Sequence, residues 1–74
     1  MTLADLLPGQ FGTVREVLCV GLTRMRLLDL GLVPGTIVEA IMKSPLDDPI
    51  AYMVRGAVIA LRKEDAKKVL IDGG

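Results

Sequence analysis

The 74-residue sequence predicts a mainly β fold, a small barrel of about five strands with one short helix inserted. Three observations predict it. Apolar runs at strand length occur at residues 13–20, 36–43, 50–54, 57–61 and 69–71, separated by turn-forming stretches such as Pro34-Gly35, Pro45 to Pro49, and Gly56. One segment, Arg24 to Leu30 with Leu22 before it, carries helical spacing instead. Finally, a half-apolar chain of formal net charge zero benefits from curling its sheet, because closure removes the edges through which such chains aggregate.

Each element follows from its residues. Residues 2–7 fit one helical turn capped by Thr2 and ended by Pro8-Gly9. Gly12 opens the first strand, in which Arg15 and Glu16 are neighbours and fall on opposite faces. In the helix, at about 100° per residue, Leu22, Met25 and Leu28 form one stripe, while Leu27 and Leu30 lie well round the cylinder. The first stripe is expected to seat the helix on the sheet, leaving Leu27 and Leu30 for a second contact. Gly31 is a natural left-handed stop that sets Leu32 against Leu27. Arg24 and Arg26 near the start and Asp29 in the last turn oppose the helix dipole, so they either pair locally, as Arg26 with Asp29, or serve a contact outside the helix.

Beyond Pro34-Gly35 the alternation puts Val38, Ala40 and Met42 on the core face. Residues 44–49 form a hairpin loop, after which Ile50, Tyr52 and Val54 face one way with Ala51, Met53 and Arg55 opposite. Gly56 permits a tight reversal into the fourth strand, with either Val58 and Ala60 or Ile59 and Leu61 inward. A short turn over 63–66 leads to the closing strand. The expected core is Val14, Val38, Met42, Val54 and Val58.

Composition narrows the function. A chain this short makes one domain, residues 1–74, and buries roughly 60% of its unfolded surface. Phe11 and Tyr52 are the only aromatics, which leaves no stacking platform for single-stranded nucleic acid or aromatic groove for polyproline. Nine basic and nine acidic residues create no one-sided field, so nucleic acid is not an expected partner. Arg62-Lys63 and Lys67-Lys68 flank Glu64 and Asp65, and read as a solvated turn. Cys19 alone cannot form an internal disulfide and is expected as a buried small hydrophobe. No apolar run approaches the roughly 18 residues of a membrane span and no signal leader precedes the domain, so a cytoplasmic protein that meets membranes only through a partner is expected.

The chemical inventory excludes most catalysis. There is no histidine, and the one serine, Ser44, has no base near it in sequence. The glycines match no phosphate-binding pattern. Asp47-Asp48 is an adjacent carboxylate pair in a turn-rich loop, and turn chemistry accounts for it. No cofactor is expected, no metal ligands can be named, and a tight intrinsic iron site is not expected.

The segment Arg24-Met25-Arg26-Leu27-Leu28-Asp29-Leu30-Gly31-Leu32-Val33-Pro34-Gly35 also carries a resemblance, together with Pro8-Gly9-Gln10, Leu46-Asp47-Asp48-Pro49-Ile50, Val54-Arg55-Gly56 and Ala60-Leu61-Arg62. In this order, over nearly the whole chain, these motifs resemble the FeoA family of small accessory proteins of bacterial ferrous-iron transport. The resemblance implies an SH3-like β-barrel with a helical insertion, cytosolic, acting on the cytosolic region of the membrane iron transporter that carries a GTPase domain. The same module is similar to the C-terminal domain of metal-dependent repressors of the diphtheria-toxin-repressor type, so fold alone does not fix the role. The chain departs from the family at Cys19-Val20-Gly21, and at Ala51 and Met53, where polar outward residues are expected.

Arg24, Arg26, Leu27, Leu30 and Leu32 are accordingly expected to form or border the surface that meets the transporter. The alternative is that Leu27 and Leu30 pack under the hairpin loop around Leu46. For the role itself, the alternatives are a nucleic-acid-associated or metal-regulator SH3-like domain, or a weak transition-metal binder. Oligomeric state is open.

Overall fold

A computed structural model describes residues 1–46 and 48–73. The chain runs through a 3-10 turn (Leu3–Asp5), β1 (Phe11–Val17), α1 (Gly21–Asp29), β2 (Ile37–Lys43), β3 (Ile50–Val54), β4 (Ala57–Leu61), α2 (Lys63–Ala66) and β5 (Val69–Gly73). The five strands make one antiparallel sheet in the order β4-β3-β2-β1-β5. Its inner face, with Val14, Val38, Tyr52, Val54 and Val69, closes over Leu3, Leu6, Leu27 and Leu32 in one buried cluster. The mainly β architecture with one short helical insertion agrees with the sequence, but the expected removal of the edges by closure is not met among the described residues, since β4 and β5 do not pair with each other. None of the described helices is long and apolar enough to cross a membrane.

The N-terminal turn is closed by Asp5, whose carboxylate accepts the Thr2 N–H at 2.8 Å and the Thr2 hydroxyl at 3.3 Å. The carboxylate satisfies a donor that the turn leaves free, and the Asp5 N–H returns to the Thr2 carbonyl at 3.0 Å. Thr2 also bridges to Leu70, and the Ile71 N–H donates to the Met1 carbonyl at 2.9 Å. The first residues therefore lie along the outer edge of β5.

Two core assignments require correction. Met42 is 60% exposed because the register between β2 and β3 slips between Ala40 and Met42, leaving Ile41 as an extra residue. A bulge of this kind inverts the alternation beyond it, so Val38 and Ala40 stay inside while Met42 turns out opposite Ala51. Val58 is 61% exposed because it pairs with outward-facing Met53, which leaves Ile59 and Leu61 as the inward residues of β4. The turn that sets this register, Arg55-Gly56, has positive φ at both positions, 51° and 82°. That is the two-residue hairpin geometry matching strand twist. Val14, Val38 and Val54 are buried as expected, and so is Cys19.

Candidate docking surface

The helix α1 is entered and left through glycine. β1 ends at Val17, three residues earlier than the apolar run, and Val20 is extended with no side-chain cap on the helix it precedes. At the far end the Leu32 N–H donates to the Leu27 carbonyl at 3.1 Å and the Gly31 N–H to the Leu28 carbonyl at 3.0 Å. These two bonds, with Gly31 at φ 103°, are the Schellman stop anticipated from the sequence. A Cβ on Gly31 would stand 3.1 Å from Cδ of Arg55 and 3.3 Å from Cγ1 of Val54, so the helix end sits hard against the β3–β4 turn.

This stop decides which stripe faces the core. It binds Leu27 to Leu32, both are fully buried, and Leu28 is packed against the same cluster. Leu22 and Met25, expected to seat the helix, are 83% and 61% exposed. The divergence of the two stripes is real, but the inner one contains Leu27. Leu27 and Leu32 are therefore corrected from surface to floor. Arg24, Arg26 and Leu30 are exposed, as a docking surface requires. Leu46 is 87% exposed, so its side chain does not cover Leu27. Asp47, half of the carboxylate pair singled out above, lies outside the described residues.

The outward surface of α1 thus joins Leu22, Met25 and Leu30 to Arg26 and the exposed Asp29, with Leu18 and Val20 exposed on the approach. Arg24, exposed as well, stands about 160° round the helix from Leu22 and from Arg26. Among the described residues the ion pairs are Arg15–Asp72 at 3.9 Å and Arg62–Glu64 at 3.7 Å. The local Arg26–Asp29 pair is not one of them. At the helix exit an open groove of about 430 Å³ is lined by Val33, Pro34, Gly35, Thr36, Ile37 and Arg55. Leu22 and Met25 were missed as surface residues, although the Leu27–Leu32 coupling predicted at the stop already pointed to them.

The surface offers packing and charge of both signs and no bond-making chemistry. Among the described residues, no three Cys, Asp or Glu side chains come together as a metal site. Burial, and next the nearby Asp65 carboxylate, push the Cys19 thiol up, which holds it as a protonated thiol and a poor nucleophile. Tyr52 is pushed up to about 12, chiefly by burial and then by Asp5. Its phenol donates to the Leu3 carbonyl and serves the core.

Comparison with known proteins gives this surface a family context. Residues 1–72 match the FeoA domain. The chain is 32% identical over 72 residues to the Fe(2+) transport protein A/Fe(2+) transporter FeoB fusion protein of Porphyromonas gingivalis, covering 97% of this chain and 8% of that one. The solution structure of FeoA protein from Chlorobium tepidum is similar at a TM-score of 0.93 and 32% identity, over 99% of this chain and 70% of that chain. The crystal structure of Stenotrophomonas maltophilia FeoA complexed with zinc, a procaryotic SH3 domain protein, is similar at a TM-score of 0.86 and 32% identity, over 97% of this chain and 89% of that one. Likeness to T. acidophilum IdeR, at 17% identity and a TM-score of 0.87 over 100% of this chain and 34% of that one, shows the fold alone and carries nothing about role. A domain match across almost the entire chain, on an SH3-like sheet with the helical insertion in place, means that this protein belongs to the FeoA family, which is linked to ferrous-iron transport.

Proposed function

We propose that this protein is a cytosolic, non-catalytic accessory module of ferrous-iron transport that docks through the outward surface of α1 on the GTPase-bearing cytosolic region of the membrane transporter. The observation that carries this reading is the Porphyromonas gingivalis protein, in which a segment similar to the whole of this chain is covalently joined to the FeoB transporter. Tethering replaces an encounter between separate molecules by a high effective concentration, which is useful only if the two parts work in contact. Here the contact would rest on Leu22, Met25 and Leu30 as apolar anchors and on Arg26 as partner for an acidic group across the interface, with Arg24 bordering it on the other side of the helix. Leu27 and Leu32 hold the helix at its angle from below.

Titration of the isolated soluble domain of the transporter into labelled protein tests this directly. Amides of α1 and of the Val33 to Ile37 groove are expected to shift. The Arg24→Glu, Arg26→Glu double variant should fold normally, since both side chains are exposed, and should lose association by at least about tenfold. Unchanged co-purification of a folded double variant would remove α1 as the docking surface and move attention to the loop between β2 and β3.

A further inference from the structure

The two edges of the sheet are treated differently by the fold. On β5 the first two residues lie along the open side, through the Thr2–Leu70 bridge and the bond from Ile71 to Met1. On β4 no backbone hydrogen bond arrives from anywhere except β3, among the described residues. The usual protections of a bare edge are missing as well. Ala57-Val58-Ile59-Ala60-Leu61 contains no charge and no proline, and its ladder with β3 runs through five consecutive pairs without a bulge.

The register says which backbone groups are free. Val54 and Ala57 flank the two-residue turn and are its hydrogen-bonded pair, so Tyr52–Ile59 and Ile50–Leu61 are hydrogen-bonded too. Val58 and Ala60 alternate with these and direct their N–H and C=O away from β3. Their side chains lie on the outer face beside Met53 and Ala51, and Met42 follows across Ala51, exposed by the bulge in β2. One apolar row, Met42–Ala51–Ala60, therefore runs to the bare edge, and the neighbouring row Val58–Met53 ends on Glu39 of β2.

We infer that β4 is a self-association edge, and that its occupant is the β4 strand of a second copy of this chain, antiparallel across a twofold axis at Ile59. In that register Val58 of each copy faces Ala60 of the other, and these are the residues with free backbone groups. Each such pair exchanges two hydrogen bonds, the strand is its own complement in donors and acceptors, and both sheets continue as one. The side chains agree, because Val58 meets the small Ala60 on the outer face and Ala57 meets Leu61 on the inner one. Nine basic and nine acidic residues leave no net charge to keep two copies apart at long range, and the opposition of Arg55 to Lys63 at each end of the paired strands sets a local repulsion that adds to the weakness of the association. A single five-residue strand with Met42 and Met53 beside it buries less than the roughly 1,200 Å² of a permanent dimer, so the association is transient and follows local concentration. This edge lies on the sheet and not on α1, and the inference does not rest on the docking proposal.

Sedimentation and amide spectra of the full chain between about 20 µM and about 1 mM test it. Mass should rise toward the dimer, and the Val58 and Ala60 amides should shift and gain protection from exchange as it does. Val58→Lys places a charge beside the twofold, opposite Ala60 of the other copy, and Ala60→Pro removes an outward N–H that β3 does not use. Each should weaken association by at least about tenfold, with the melting transition of dilute protein retained. If either variant fails to fold, a mixed sample of labelled and unlabelled unmodified chain decides, since only the stated register gives intermolecular contacts between Val58 and Ala60. A monomer at the highest concentration overturns the inference, as does a dimer whose perturbed amides lie elsewhere. So does a response of Val58 and Ala60 only to added transporter domain, which would assign the edge to a strand of that partner.

Discussion

Tyr52 donates a hydrogen bond of 2.9 Å from its phenol to the backbone carbonyl of Leu3, joining the middle of β3 to the N-terminal turn 49 positions earlier, inside the core. The bond satisfies both groups where water does not reach. It also fixes the turn from which Met1 and Thr2 run along β5.

Replacing Tyr52 by Phe keeps the ring and deletes the donor, while the Leu3 carbonyl keeps its bond from the Leu6 N–H at 3.1 Å. A loss of about 0.5 to 1.5 kcal/mol in chemical denaturation is expected. An unchanged midpoint would mean that the bond contributes nothing net.

The same phenol gives a pH signature that is clean because the chain has one tyrosine and no tryptophan. Its pKa rises from an ordinary 10.0 to about 12 on folding, so the folded state holds its proton after the unfolded state has lost it. The resulting stability is fully present below pH 10 and is lost as pH rises toward 12. Tyrosinate absorbance in the native protein should therefore appear only as the pH nears the upper value. Titration near 10 in folded protein would contradict the burial of Tyr52.

Core and surface should separate sharply by mutation. Leu27→Ala is expected to cost about 2 to 5 kcal/mol, because Leu27 is fully buried under α1. Met42→Ala, beyond the bulge, should lie within about 0.5 kcal/mol of the unmodified protein. Thermal or urea unfolding of the two variants checks both, and comparable losses would place Met42 inside.

Gly31→Ala tests the helix stop. A side chain in the left-handed region costs about 1 to 2 kcal/mol, and the new Cβ also presses on Arg55 and Val54. The loss should exceed that of an alanine placed at Gly9, which has positive φ but nothing within 4 Å. Equal losses would mean that the packing of the helix end against β3 is unimportant.

Anaerobic calorimetry with Fe²⁺ should give weak heats without defined stoichiometry, since the chain has no histidine and a single buried thiol. A saturable one-to-one site of micromolar affinity would revive a metal-carrying role.

The sequence by itself determined the number and order of the strands, the place of the helix, and its stop at Gly31. These are local matters, settled by turn residues and by the contact of Leu27 with Leu32. The same motifs carried the family resemblance, and the surface position of Arg24, Arg26 and Leu30 was legible with them. Only the tertiary structure decided which helical stripe lies inside, because helical spacing separates Leu22 and Met25 from Leu27 without saying where the core is. It also decided the facing of Met42 and Val58. Alternation within one strand is a property of that strand, but the extra residue at Ile41 and the pairing of Val58 with Met53 exist only relative to a neighbour. The unequal edges were illegible for the same reason: nothing in Met1 and Thr2 announces that they run beside β5, or that no segment does so for β4.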